Sequence, residues 1–130
     1  MINLQIKLSE WTNAPGGRTK KDSAYSAEWF FKDVIEDLFY KIKALPLSHD
    51  IKFLLNFDDL YGAPPSFLDQ LIYYLNNIVK ECFGSKAAVK DHFDFVCTED
   101  ADNGTLKMID NAIIDYSVLF KEQKEHEQIS

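Results

Sequence analysis

The chain has 130 residues, a hydrophobic fraction of 46% and a formal net charge of -7 from 14 basic and 21 acidic residues. This composition predicts one packed domain and argues against a disordered chain. The negative charge opposes binding to a phosphate backbone, so nucleic acid is a poor choice of partner. The sequence has no apolar run of membrane-spanning length and no signal peptide, which predicts a cytoplasmic protein without membrane contact.

The first segments of the chain are a strand and a long loop. Apolar and polar residues alternate from Ile2 to Leu8, which predicts an edge strand with one exposed face. No regular pattern follows from Ser9 to Tyr25, where Arg18 and nearby lysines form the basic region of an acidic chain. The planar guanidinium of Arg18 is suited to bind a carboxylate or a phosphate. A solvated loop without a binding role is the other interpretation of this segment.

An amphipathic helix is predicted after the loop. Ser26 is suited to cap its N-terminus, and Glu28 lies in the first turn, where a negative charge is favourable. Apolar residues recur at helical spacing until Pro46, before which the helix should end. The predicted buried stripe is Phe31, Val34, Leu38, Ile42 and Leu45, supported by Phe30, Ile35 and Phe39.

A central strand and a turn come next. The segment Ile51 to Phe57 is dense in large apolar residues, which predicts a strand covered on both faces. It should end at Asp58 and Asp59, because adjacent carboxylates are costly to bury without partners. The turn then runs from Leu60 to Ala63, with Gly62 free to adopt backbone angles that other residues avoid.

A second helix is predicted to begin at two prolines. A residue before proline avoids the helical region, so Pro64 should precede the helix and Pro65 should be its first residue. Ser66 then lies in the first turn, beside backbone amides that have no partner within the helix. This position suits a serine that receives or holds a phosphate, and it also suits a serine that only caps the helix. The predicted buried stripe, which ends before Gly84, is Leu68, Leu71, Ile72, Leu75, Ile78, Val79 and Cys82.

The remaining sequence predicts a third strand and a third helix. Phe93 to Cys97 is a short apolar run, and the acidic turn Thr98 to Gly104 separates it from the last helix. The order of elements is therefore β-α-β-α-β-α. Residues 1–120 should form one domain, and 121–130 a charged tail that is either fraying helix or disordered. The apolar side of the last helix is Leu106, Ile109, Ile113, Tyr116 and Phe120.

Two blocks of residues carry a family resemblance. The first block is Gly17, Arg18, Asp22, Tyr25, Ser26 and Phe30. The second block is Asn56–Asp59, Tyr61, Gly62 and Ser66–Asp69. With these blocks the chain resembles the STAS-like family of bacterial and phage-associated domains, which are similar in pattern to anti-sigma factor antagonists and sulfate-transporter regulatory domains. The resemblance covers Met1 to Phe120.

The resemblance implies both a fold and a role. The implied fold is one α/β domain, with a mixed sheet of about three to four strands packed by three main helices. The implied role is that of a non-enzymatic regulatory domain that binds a histidine-kinase-like ATPase under control of phosphorylation. The phosphoacceptor serine of the better-understood relatives follows the central strand at a helix start, where this chain has Ser66. The candidate partner-binding residues are Arg18, Asp58, Asp59, Tyr61, Ser66, Phe67 and Asp69.

A small metal-assisted enzyme that processes phosphoryl groups is the alternative function. Asp58, Asp59 and Asp69 are able to offer carboxylate oxygens to a divalent cation. The sequence has no recognised metal-ligand loop and no G-x-S-x-G nucleophile motif. We therefore predict no metal ion, no cofactor and no catalytic residue. A metal-dependent turnover that is lost on changing Asp58 would favour the enzyme.

Overall fold

A three-stranded parallel sheet forms the centre of the protein. The computed structural model describes residues 2–45, 50–98 and 104–129, with side chains in the last helix up to residue 116. The strands are β1 (Ile2–Lys7), β2 (Ile51–Asn56) and β3 (Phe93–Val96), and their spatial order is β1-β2-β3. The predicted edge position of the first strand and central position of the second are confirmed.

Both strand pairings are parallel, so the expected mixed sheet is wrong for the described part of the chain. A parallel pair needs a long crossover, and each connection here contains a helix that returns the chain to the same end of the sheet. The coarser prediction, one α/β arrangement of strands and helices, is confirmed.

One face of the sheet is buried, and the other is only half-buried at its central strand. Phe53 is in register with Leu4 on one side and Phe93 on the other, and this row faces the core. The prediction that β2 is covered on both faces is wrong. Both crossovers step in the same direction across the sheet, and right-handed connections then place their helices on one side. The buried residues of β2 are Ile51, Phe53 and Leu55, and the half-buried ones are Lys52, Leu54 and Asn56.

The first crossover is a helix with a π-helical middle. It consists of α1 (Ala27–Phe30), a π-helical segment (Phe31–Glu36) and α2 (Asp37–Lys43). The predicted N-cap is confirmed, since the N–H of Trp29 donates to Ser26 Oγ at 3.3 Å.

The buried face of this helix matches the predicted stripe in part. Phe31, Ile35 and Phe39 are buried, whereas Leu38 and Leu45 are exposed. Phe31, Ile35 and Phe39 are four apart, a spacing that suits the wider turn of a π-helix. The predicted members Phe30, Phe31, Ile35 and Phe39 are therefore confirmed as buried, and the prediction is wrong for Leu38 and Leu45.

The second crossover contains α3 (Pro65–Phe83). Pro64 is its non-helical flank, with φ -59° and ψ 147°, and the predicted start at Pro65 is confirmed. Gly84 follows its end with a φ of 104°. Most of the predicted stripe is buried, and the fully covered positions are Leu71, Ile72, Leu75 and Val79.

The last helix, α4 (Gly104–Ile129), packs on α3. Ile109 and Ala112 are buried in this contact, and Asn76 Nδ2 donates to the carbonyl oxygen of Tyr116 at 3.4 Å. The backbone of the predicted tail is helical up to Ile129. The predicted acidic turn falls largely on residues 99–103, and the packing of Phe120 concerns its side chain; both lie outside the described part. No described helix is long and apolar enough to cross a membrane.

Candidate functional site

The candidate site lies where the loops after β1 and β2 meet. Parallel strands end at the same edge of a sheet, so the segments that follow them are neighbours. Tyr61 N–H donates to the carbonyl oxygen of Asn13 at 2.7 Å, and Asn13 Nδ2 donates to the carbonyl oxygen of Asp59 at 2.9 Å. These two bonds join the long N-terminal loop to the turn that precedes α3.

Ser66 is the second residue of α3, and its side chain is half-buried. The N-cap of this helix is Pro64, which has no side-chain hydroxyl, and α3 has no side-chain capping bond. The first backbone N–H that finds a helical partner is that of Leu68, which donates to Pro64 O at 3.1 Å. The hydroxyl of Ser66 is therefore not used as a cap, which removes the simplest structural reason for a serine at this position.

Asp69 joins three parts of the chain through one carboxylate oxygen. Arg18 Nη1, from the N-terminal loop, donates to Asp69 Oδ2 at 2.7 Å. The hydroxyl of Tyr116, from α4, donates to the same oxygen at 2.6 Å. The predicted ability of Arg18 to bind a carboxylate is thus used within the chain, and the contact is through one nitrogen rather than a two-pronged fork.

The electrostatics of this cluster follow from these contacts. Burial raises the pKa of the Asp69 carboxyl, but hydrogen bonds from Tyr116 and Arg18 outweigh it and hold the pKa below its usual range. Burial and the hydrogen bond to Asp69 raise the pKa of Tyr116 to about 12. The carboxylate is therefore ionised and the phenol protonated over the physiological pH range.

The backbone on either side of Arg18 is held in place. Asp22 Oδ2 accepts from Arg18 N–H at 3.1 Å, and the Glu28 N–H donates to Arg18 O at 3.1 Å. Gly17 has a φ of 88°, and a Cβ at this position would lie 2.8 Å from Asp22 Cβ. The loop that carries Arg18 is consequently tied to the first turn of α1.

The two carboxylates of the acidic turn have separate partners. Asp58 is buried and accepts from Thr98 Oγ1 at 2.6 Å. Asp59 is paired with Lys7 Nζ at 2.5 Å and has a φ of 66°. The turn residue with a positive φ is therefore Asp59, not Gly62 as predicted. Aspartate tolerates this conformation better than most residues, and the bond from Asn13 to its carbonyl holds it there.

An open groove lies beside the start of α3. Its volume is about 360 Å³, and Tyr61 on its wall is 90% exposed. One wall comes from the N-terminal loop and the other from the turn before α3. The lining residues are Ala14, Pro15, Tyr61, Gly62, Ala63 and Pro64.

The structure brings some predicted site residues together and separates others. Arg18 and Asp69 are in contact, and Ser66 precedes Asp69 by one helical turn. Phe67 is fully buried, with its ring centroid 6.3 Å from that of Phe30, so this candidate belongs to the core and is closed to a partner. Tyr116 was predicted only as a packing residue. Its hydroxyl partner comes from another helix, which no local sequence pattern reveals.

The described residues contain no group of three or more histidine, cysteine, aspartate or glutamate side chains placed to hold a metal ion. The metal-assisted alternative requires Asp58, Asp59 and Asp69. These carboxylates bind Thr98, Lys7, Arg18 and Tyr116 instead. Comparison of the chain with protein-family models, curated proteins and solved structures found no match.

Proposed function

We propose that the chain is a regulatory protein-interaction domain without catalysis of its own, in which Ser66 is the phosphoacceptor. The observation that carries the proposal is the state of Ser66, a half-buried serine in the first turn of α3 that does not cap the helix. The partner-binding surface consists of Tyr61, the groove beside it and the start of α3. Aromatic side chains are favoured in protein interfaces, and Tyr61 is 90% exposed.

The proposed partner is a histidine-kinase-like ATPase, as the resemblance to STAS-like domains implies. In the modification, a bond forms between Ser66 Oγ and the γ-phosphorus of ATP as the bond to the β,γ-bridging oxygen breaks. ADP leaves, and the hydroxyl proton passes to a base on the kinase. Because ATP is the donor, we propose a cytoplasmic location.

The expected consequence is a change at an interface. A phosphoserine carries about -1.5 to -2 charges at neutral pH. Ser66 lies two residues after Pro64 of the groove wall. A phosphate there would have to lose its hydration in a complex, which opposes the burial of this surface by a partner. The unmodified protein should therefore bind and the modified protein should not.

A pull-down from native lysate with identification of the bound protein tests this proposal. Wild type should retain an ATPase of the histidine-kinase type, Ser66→Asp should lose it, and intact mass should show one phosphate on part of the native protein. Ser85→Asp is the matched control, because it adds the same charge at an exposed serine beyond the other end of α3. Equal retention by wild type and Ser66→Asp would contradict the proposal.

A further inference from the structure

The ion pair between Arg18 and Asp69 lies one helical turn from Ser66, and this placement has a consequence for the modified protein. Residues three apart on a helix have Cβ atoms about 5–6 Å from each other. A phosphoryl group on Ser66 would thus stand next to the Asp69 carboxylate and to the guanidinium that this carboxylate binds.

We infer that Arg18 is the internal receptor of the phosphoryl group on Ser66, which takes the guanidinium away from Asp69. This inference rests on the proposed function, and it adds how the domain responds to the modification. The modified serine and Asp69 compete for one arginine, and the phosphate is the stronger competitor.

The chemistry of the two acceptors decides the competition. The phosphate offers three acceptor oxygens and a charge of about -1.5 to -2, whereas the carboxylate offers one negative charge. Asp69 Oδ2 is already shared between Arg18 and Tyr116. Guanidinium groups bind phosphate with two parallel hydrogen bonds. Within the described chain, Arg18 uses only Nη1 for a side-chain bond, so its remaining donors are available.

The exchange needs movement of a side chain and not of the backbone. Arg18 N–H is bound by Asp22, and Arg18 O accepts from Glu28 N–H, so the backbone stays where α1 holds it. The arginine side chain is half-exposed, with 47% of its surface accessible, and is free to rotate toward the start of α3. Arg18 is therefore held near the start of α3 before Ser66 is phosphorylated.

The exchange also changes the charge of the surface that a partner would contact. Asp69 loses its arginine and retains the hydroxyl of Tyr116. A negative charge that was paired becomes unpaired next to a second negative charge, on the same turn of α3. The switch thus redistributes charge at the start of α3 while the fold persists.

The test uses the full chain with phosphoserine installed at position 66 by genetic encoding, and ³¹P NMR to follow the second pKa of the phosphate. Binding to Arg18 favours the dianion, so this pKa should be lower in the wild-type background than in Arg18→Gln by about half a unit or more. Asp69→Asn removes the competing carboxylate and should lower the second pKa of the phosphate further. Arg18→Lys should restore part of the shift, because it keeps the charge without the fork.

Lys20→Gln is the matched control. Lys20 is a cation of the same loop, but its Nζ lies 4.3 Å from the centre of the Trp29 ring, which makes a different contact. An unchanged phosphate pKa in a folded Arg18→Gln protein would overturn the inference, as would an equal shift from Lys20→Gln. Because the phosphate is installed directly, this outcome does not depend on a partner. Failure of the proposed function appears instead as an unmodified Ser66 in the native protein.

Discussion

Arg18 and Asp69 are 51 residues apart in the sequence and 2.7 Å apart in the structure, where they join the N-terminal loop to the first turns of α3. The hydroxyl of Tyr116, in the last helix, donates to the same carboxylate oxygen. One aspartate therefore connects three parts of the chain that are far apart in the sequence.

Replacing Asp69 with asparagine should lower stability in a pH-dependent way. The folded protein holds the pKa of Asp69 below its unfolded value, so the ionised carboxylate stabilises the fold above about pH 4. This contribution is lost as the pH falls through the folded pKa. The side chain is 39% exposed, so we expect about 1 kcal/mol at pH 7 and not the larger cost of breaking a buried pair.

Urea unfolding of wild type and Asp69→Asn at pH 7 and pH 3 measures this effect. The difference in unfolding free energy should be smaller at pH 3 than at pH 7, because the Asp69 carboxyl of wild type takes up protons as the pH falls toward its folded pKa. A difference that is constant across this range would show that the charge of Asp69 contributes nothing.

The titration of Tyr116 should report the same contact. Its pKa of about 12 has burial as the larger cause and the hydrogen bond to Asp69 as the next. In Asp69→Asn the pKa should fall toward the ordinary value of about 10 and remain above it, since burial persists. NMR of ¹³Cζ-labelled tyrosine, with Tyr116→Phe to assign the resonance, measures both values. A tyrosine that titrates alike in the two proteins would place the hydroxyl away from Asp69.

Ser26→Ala and Ser66→Ala should differ in stability. Ser26 is fully buried and its Oγ accepts from Trp29 N–H at 3.3 Å, so its loss should cost about 1 kcal/mol. Ser66 makes no capping bond in α3, and its replacement should cost less than about 0.5 kcal/mol. Chemical unfolding of the two variants compares these costs. An equal loss at both positions would restore the interpretation of Ser66 as a capping residue.

Gly17→Ala and Gly62→Ala form a second matched pair. Gly17 has a φ of 88°, and an added Cβ would meet Asp22 Cβ at 2.8 Å, so alanine should cost about 2 kcal/mol and displace the Arg18 loop. Gly62 has no heavy atom within 4 Å of such a Cβ and no positive φ. Alanine there should be neutral or slightly stabilising, because it restricts the unfolded chain. Thermal unfolding of both variants provides the comparison.

Features with local causes were predictable from the sequence. The Pro64–Pro65 pair determines where α3 begins, and Ser26 marks the start of α1, because proline geometry and capping act over a few residues. The central position of β2 followed from its dense apolar sequence. The order of strands and helices likewise needed only the pattern along the chain.

Features that depend on distant segments were not predictable. The π-helical segment Phe31–Glu36 is not anticipated by a regular helical period, which placed the exposed Leu38 in the buried stripe. The positive φ of Asp59 depends on its contact with Asn13 from another loop. Likewise, the contacts of Asp69 come from two segments far away in sequence.

In the proposed switch, Ser66 carries a phosphate that controls binding of a partner. The most direct measurement is mass-spectrometric peptide mapping of the native protein, in the partner-bound and the partner-free fractions. Our account predicts phosphate on Ser66 in the free fraction and an unmodified Ser66 in the bound fraction. An unmodified Ser66 in both fractions, with full coverage of the peptide that contains it, would contradict the account.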